Sequence, residues 1–325
     1  MLSPLLLAAP STRLDASIRV QIYKCPLLDK SVSQGLFDIP REVGMTYKMK
    51  TRIALVTVIF LLPMLAQAQN GQGNNEKGGG ATCQGLPTYA KLREALVSAV
   101  ATEGSGLNLH MWATVVNRDG IVCAVAFSGT DRGAQWPGSR VISAQKANTA
   151  NSFSLDKSSS SAGSGKATGL ALSTANLYSA VQPGGSLFGL QESNPVNVEA
   201  AYKGPSSNFG KSNDPLVGEK VGGVNVFGGG LALYGPGAEV LGAVGVSGDT
   251  SCADHFIAWR VRNNLTLDHL GTVGGVSGDA NRPDNIIFDI TENPNGGTGV
   301  SAGGFGHPDC GGVEGTETNL PAVQN

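Results

Sequence analysis

Seven residues from Val240 to Val246 carry no polar side chain, and a Ser247-Gly248-Asp249 turn then leads straight into an amphipathic segment that runs to Leu267. An apolar run this short, closed by turn residues, predicts a strand buried on both faces. Such a strand needs neighbours at its edges and cover above and below, so it dictates what the rest of the chain must provide. Just upstream, Val224 and Val226, then Leu231 and Leu233, are strand-like around Gly228-Gly229-Gly230, and Gly235-Pro236-Gly237 makes the turn. Downstream, Ala253, Phe256, Ile257, Arg260 and Val261 mark one side of the predicted helix, with Cys252, His255, Trp259 and Arg262 on another. The turn between such a strand and helix is where a scaffold of this kind carries a site.

The remaining elements follow from spacing. Tyr89, Leu92, Leu96, Ala99 and Val100 recur at helical intervals before Gly104. Leu107 to Val116 alternates like a strand, Asn117-Arg118-Asp119-Gly120 turns the chain, and Ile121 to Phe127 returns as a second strand. After a turn-rich loop to Gly138, Ser139 to Leu155 predicts a helix lined by Ala144, Ala147 and Ala150, small enough to lie close to a sheet. A further helix is expected at Ser173 to Val181. Glu192 to Lys220, with Pro195, Pro205 and Pro215, has no period and predicts a long surface excursion. From Leu270 to Asn325 the chain is rich in Gly, Pro, Asn and Asp, with one short strand expected at Ile286 to Ile290. This order predicts an α/β fold of the α+β type: a central antiparallel sheet covered by helices, with an irregular Gly/Pro-rich C-terminal extension.

Lys48, Lys50 and Arg52, the apolar run Ile53 to Leu65 and Ala66-Gln67-Ala68 form a secretory signal pattern over residues 45–68, with cleavage expected after Ala68. The run is too short for a transmembrane span, so export is expected rather than anchoring. Residues 1–44 precede the signal, and Met1 is expected to be a misassigned start. Residues 69–86 predict a flexible linker, 87–269 the folded domain and 270–325 the extension. Removing residues 1–68 takes away 8 of the 23 Lys and Arg and 4 of the 25 Asp and Glu, leaving a net charge of −6. A mildly acidic domain argues against nucleic acid or an anionic membrane as partner.

Cys83, Cys123, Cys252 and Cys310 remain after cleavage, an even number that predicts disulfides with three possible connectivities. Cys310 is expected to tie down the tail, with Cys252 favoured as its partner; Cys123 also reads as an ordinary buried thiol.

The hairpin turning at Asn117 to Gly120, the Ala144-Gln145-Lys146-Ala147-Asn148-Thr149-Ala150 segment, Gly222-Gly223-Val224, and Leu241 to Gly248 together resemble the GlcG/HbpS-like family, which includes extracellular haem-binding proteins and the C-terminal domain of PduO-type proteins. The resemblance spans roughly Pro87 to Leu267. It implies a profilin-like or PAS-like domain, assembly into homo-oligomers, and haem as cofactor, with a role as carrier, store or sensor. The excursion at 192–220 and the tail after Leu267 depart from shorter members.

Haem needs an apolar slot, an axial ligand and cationic groups for its propionates. His255 beside Trp259 is one candidate ligand and His110 beside Trp112 another, each with an ordinary structural reading; for His255 that is a half-exposed helix residue. His307, before Pro308, reads as a surface residue. Lys146 and Arg140 are candidates for the propionates. The turn at Ser247, Gly248, Thr250 and Ser251 offers backbone N–H groups to an anion, although Asp249, Thr250 or Ser251 can equally cap the helix. Cys252-x-x-His255 lacks a second pair for zinc. With no Walker loop, dinucleotide fingerprint or G-x-S-x-G elbow, the alternatives to haem carriage are an enzyme acting on a small organic acid or on haem, or a structural oligomer with a vestigial pocket.

Overall fold

The computed structural model describes residues 81–160 and 168–325. The expected leader, signal peptide and most of the linker lie outside them. The elements are α1 (Tyr89–Thr102), β1 (Trp112–Asn117), β2 (Val122–Phe127), α2 (Ser139–Phe153), β3 (Leu155–Ser160), β4 (Thr168–Leu170), α3 (Val198–Ala201), β5 (Gly230–Gly235), β6 (Glu239–Ser247), α4 (Ser251–Asn264), β7 (Ile290–Thr291) and β8 (Val300–Ser301).

The apolar run is β6, and it lies inside a four-stranded antiparallel sheet of order β2-β1-β6-β5. Val244 faces Val115 on one side and Leu231 on the other. On one surface Ala113, Val115, Leu231, Leu233, Val244 and Val246 pack against Leu92 and Leu96 of α1 and Phe256, Ile257 and Val261 of α4. On the other, Val116, Val125 and Ala243 meet Val141, Ala144, Ala147 and Ala150 of α2. The expected antiparallel sheet covered by helices is therefore present. The alanines of α2 have glycine opposite them: a Cβ on Gly245 would fall 2.0 Å from the Ser143 carbonyl oxygen, and one on Gly230 would fall 2.5 Å from that of Lys146. Helix backbone thus rests on strand backbone, which fixes where Lys146 enters the sheet.

Four expectations are corrected. Residues 107–111 are not strand, because Asn108 adopts a left-handed φ of 59° and the Asp249 carboxylate takes the N–H groups of Leu107 and Leu109 at 2.7 and 3.0 Å. In place of a helix at Ser173 to Val181 there are two 3-10 turns, Ala175–Leu177 and Ser179–Val181. Between the two turns the Ser179 N–H and Oγ both donate to the Gly306 carbonyl of the tail, at 3.2 and 2.7 Å, which takes that N–H away from the i−4 carbonyl a helix would use. Val224 and Val226 form no strand: Gly222 and Gly223 have positive φ, and the Asn225 N–H donates to Thr149 Oγ1. At Ile286 to Ile290 only the last residue is paired, in the two-residue β7.

The excursion at 192–220 is anchored rather than loose. Asp214 and Leu216 are buried, and the Asp214 carboxylate accepts from Arg140 Nε at 2.9 Å and from the Gly210 and Leu216 N–H groups. Two disulfides close the chain, Cys83–Cys123 and the expected Cys252–Cys310. Cys123 is thus a bridged residue and not a free thiol. The tail joins the α1/α4 core through Ile286, Val313 and Leu320, and Trp259 Nε1 donates to the Pro321 carbonyl at 2.9 Å.

Candidate functional site

The turn after β6 is held by groups of the protein itself. Lys146, fully buried on α2, donates from Nζ to the Val246 carbonyl at 3.0 Å and to Asp254 Oδ2 at 2.5 Å. Asp254 Oδ1 in turn accepts the N–H groups of Gly248 and Asp249 at 3.1 and 2.9 Å. Burial pushes the Asp254 carboxyl up to about 6 and pulls the Lys146 amine down. The Thr250 N–H goes to Asp249 Oδ1, and the Thr250 side chain caps α4 by accepting from Ala253. Of the four residues of the anion turn, Ser247 lies in β6, Gly248 and Thr250 have their N–H groups engaged, and Ser251 Oγ accepts the Gly228 N–H at 2.6 Å. Arg140 is spent in the same way: it lies buried against Asp214, 3.6 Å over the Phe209 ring. Neither cation faces a ligand in this conformation.

The four histidines are in four different environments. His255 is fully buried, so the half-exposed reading fails; its Nε2 lies 3.2 Å from both Asn285 Oδ1 and the Ile286 nitrogen. Its ring is 5.9 Å from that of Trp259, so the expected aromatic wall exists, but the tail covers it. Trp259 also carries the Arg262 guanidinium at 4.5 Å, which pairs with buried Asp284 at 2.6 and 2.9 Å. His307, expected at the surface, is buried instead. Its Nδ1 lies 2.7 Å from the Pro308 carbonyl and its Nε2 2.7 Å from Ser251 Oγ. His269 is half-buried against the Asn325 carbonyl. His110 alone is exposed.

The His110 ring meets Phe127 edge-on at 5.8 Å, Phe127 stacks on Trp112 at 4.6 Å, and Ser128 Oγ lies 3.4 Å from Nδ1. Gln135 donates to the His110 carbonyl and to that of Gly248. Gln135 and Leu109 both line a groove of about 440 Å³ whose other walls are Gly133, Ala134, Pro137 and the half-exposed Trp136. Sequence reasoning passed over Trp136. Its one signal was an aromatic placed in a turn-rich loop, where no buried neighbour is prescribed for it. A groove of similar size between α1 and the end of α4, with Leu86, Lys91, Glu94 and Leu265 on its walls, holds no histidine.

Both buried imidazoles are pulled well below their ordinary range by desolvation, His255 to about 3 and His307 to about 4. Each is depressed relative to the unfolded value of 6.5, so the unfolded chain takes up more protons in this window and stability falls as pH drops from 6.5 toward 4. Asp254, raised by burial to about 6, acts in the opposite sense from about pH 6 downward, one group offsetting part of what the two imidazoles cost. The expected result is a lower urea midpoint at pH 5 than at pH 7. His255→Gln should flatten the slope; an unchanged slope would place the acid sensitivity elsewhere.

A four-stranded antiparallel sheet with helices on both surfaces and a side groove defines a mixed α+β domain. The chain belongs to the HbpS-like family, described as haem degrading protein HbpS-like, whose family model matches residues 89–262, from the start of α1 almost to the end of α4. Among solved structures it is similar to Klebsiella pneumoniae protein ORFY, at 26% identity over 55% of this chain and 90% of that one, with a TM-score of 0.35. It is also similar to PduOC in a haem complex, at 20% identity over 54% of this chain and 89% of that one, with a TM-score of 0.34. No curated protein matches it. The tail that buries His255 lies outside the family match.

Proposed function

We propose that this chain is an exported haem-binding protein, a carrier, store or sensor module, that takes haem at the groove beside His110. Family membership supplies the ligand class. The observation that carries the site is the exposure of His110 alone among the four histidines, next to a groove walled by Leu109 and Trp136. An apolar groove, and an exposed imidazole on the residue that follows its Leu109 wall, are two of the needs of a haem site. Exposed Arg132, which borders the groove residue Gly133 and reaches Ser206 Oγ, is better placed to meet a propionate than the buried Arg140 and Lys146. Export rests on the signal pattern of residues 45–68 and agrees with two disulfides. Among the described residues no helix is long and apolar enough to cross a membrane. Assembly into homo-oligomers belongs to the same proposal.

The family's description favours one second reading, in which haem is consumed rather than carried. The small-acid reading loses support because Asp254 already occupies the Gly248 and Asp249 donors.

Hemin titration of residues 69–325, followed by the Soret band, tests the proposal. The wild-type chain and His255→Ala should give a saturable shift, and His110→Ala should lose it. A shift lost only in His255→Ala would overturn the site, and no shift in any form would overturn haem binding. Loss of the haem absorption on adding a reductant in air would replace carriage with turnover.

A further inference from the structure

Cys252, His307 and Cys310 each offer one ligand atom, and the three atoms lie within 4.8 Å of one another. Cys252 stands in the first turn of α4, while His307 and Cys310 come from the tail. The sequence pairs Cys252 with His255; the fold turns His255 toward Asn285 and brings His307 in its place. In the bridged form the sulfurs are bonded to each other and neither is a thiolate.

We propose that reduction of the Cys252–Cys310 bridge converts this cluster into a binding site for a thiophilic divalent cation of the zinc type. A dithiol reductant supplies two electrons and two protons: the S–S bond breaks, two thiols form, and the reductant is oxidised to its own disulfide. The cation then displaces the two thiol protons to solvent as two metal–sulfur bonds and one metal–nitrogen bond form.

Three observations carry this independently of the haem reading. The Pro308 carbonyl can only accept, so the 2.7 Å contact places the proton on His307 Nδ1, and Nε2 keeps a lone pair that here accepts the Ser251 hydroxyl at 2.7 Å and that an incoming cation would take over. A backbone carbonyl behind the far nitrogen is the support that metal-bound histidines use. The Cys252 N–H points at Cys310 Sγ from 3.2 Å, and that N–H belongs to the first turn of a 14-residue helix, whose dipole favours thiolate. Cys252 and His307 are buried while Cys310 is only partly so, giving a dry site with one side open. Ser251 Oγ, 2.7 Å from His307 Nε2, stands where a fourth ligand or a bound water would be held. Two sulfurs, one imidazole and one open position form a recognised zinc donor set.

Cobalt(II) tests the site, because thiolate ligation gives it charge-transfer and intense visible bands. The full chain, reduced with a phosphine, should bind one equivalent of Co²⁺ with these bands, zinc should displace it, and the oxidised chain should show none. Cys310→Ser should abolish the bands, and His307→Ala should weaken binding by at least about tenfold, the lower end of what loss of even an outer-shell partner costs. The chain carrying Cys83→Ser with Cys123→Ser should bind as wild type. The proposal falls if the reduced wild-type chain gives no bands, if they survive Cys310→Ser, or if they vanish with the other cysteine pair. Far-UV circular dichroism accompanies each titration. A reduced chain that loses its native spectrum and does not regain it with zinc also overturns the proposal.

Discussion

Asp254→Ala is expected to destabilise the fold by about 3–5 kcal/mol, the cost of removing one partner of a buried ion pair. Lys146 Nζ would keep only the Val246 carbonyl, inside a helix–sheet contact too tight to admit solvent at Gly245 and Gly230. The Gly248 and Asp249 N–H groups would lose their acceptor at the same time. Small domains hold only about 5–15 kcal/mol in total, so this single change takes a large share of it. Urea unfolding followed by circular dichroism measures the loss. Adding Lys146→Met to Asp254→Ala should recover part of it, because the unpaired charge goes and a similar volume stays. A loss below about 1 kcal/mol, the range of exposed pairs, would show that the pair does not hold the turn.

Cys310→Ser is expected to lower stability by roughly 4 kcal/mol, the loop-closure value for a cross-link spanning 58 residues. The tail has other attachments: Asp284 on Arg262, the Trp259 bond to Pro321, and Ile286, Val313 and Leu320 in the core. The variant should therefore stay folded at low temperature, with a lower Tm and faster proteolysis after Leu267 than within α1 to α4. Cys252→Ser should behave alike, and the double variant should lose no more than either single one, since all three remove the same bond. Equal Tm values for variant and wild type would mean that noncovalent packing alone seats the tail.

The sheet and its three long covering helices were legible because their pattern is local: VLGAVGV is a buried strand wherever it occurs, and Ala144, Ala147 and Ala150 prescribe a close approach. The misread segments were decided by bonds from far along the chain. Leu107 to Met111 alternates correctly for a strand, yet Asp249 claims its backbone. Lys146 looks like an exposed charge until the fold brings Asp254 to it. The same applies to the site. His255 could be named from its helix, but its burial is set by Asn285 and Ile286, in a tail with no period to read. His307 was set aside for lying in that tail, and nothing near Pro308 reveals that Ser251 will meet it. His110 was named on the same footing as His255, and its exposure, unlike the burial of His255, is the outcome its place next to the hairpin allows.

Strand β1 has an interior place only because β6 lies along its second edge, with Trp112 opposite Ser247. Until Ser247 has been synthesised the sheet can hold no more than the β1–β2 hairpin, and such a hairpin is marginal alone. Closure over so long a stretch is entropically costly and slow, which places this chain among slow-folding topologies. A ribosome therefore releases most of the polypeptide before the four-stranded sheet can close. On the export proposed above, that delay would keep the polypeptide threadable through a translocation channel and defer folding to the far side.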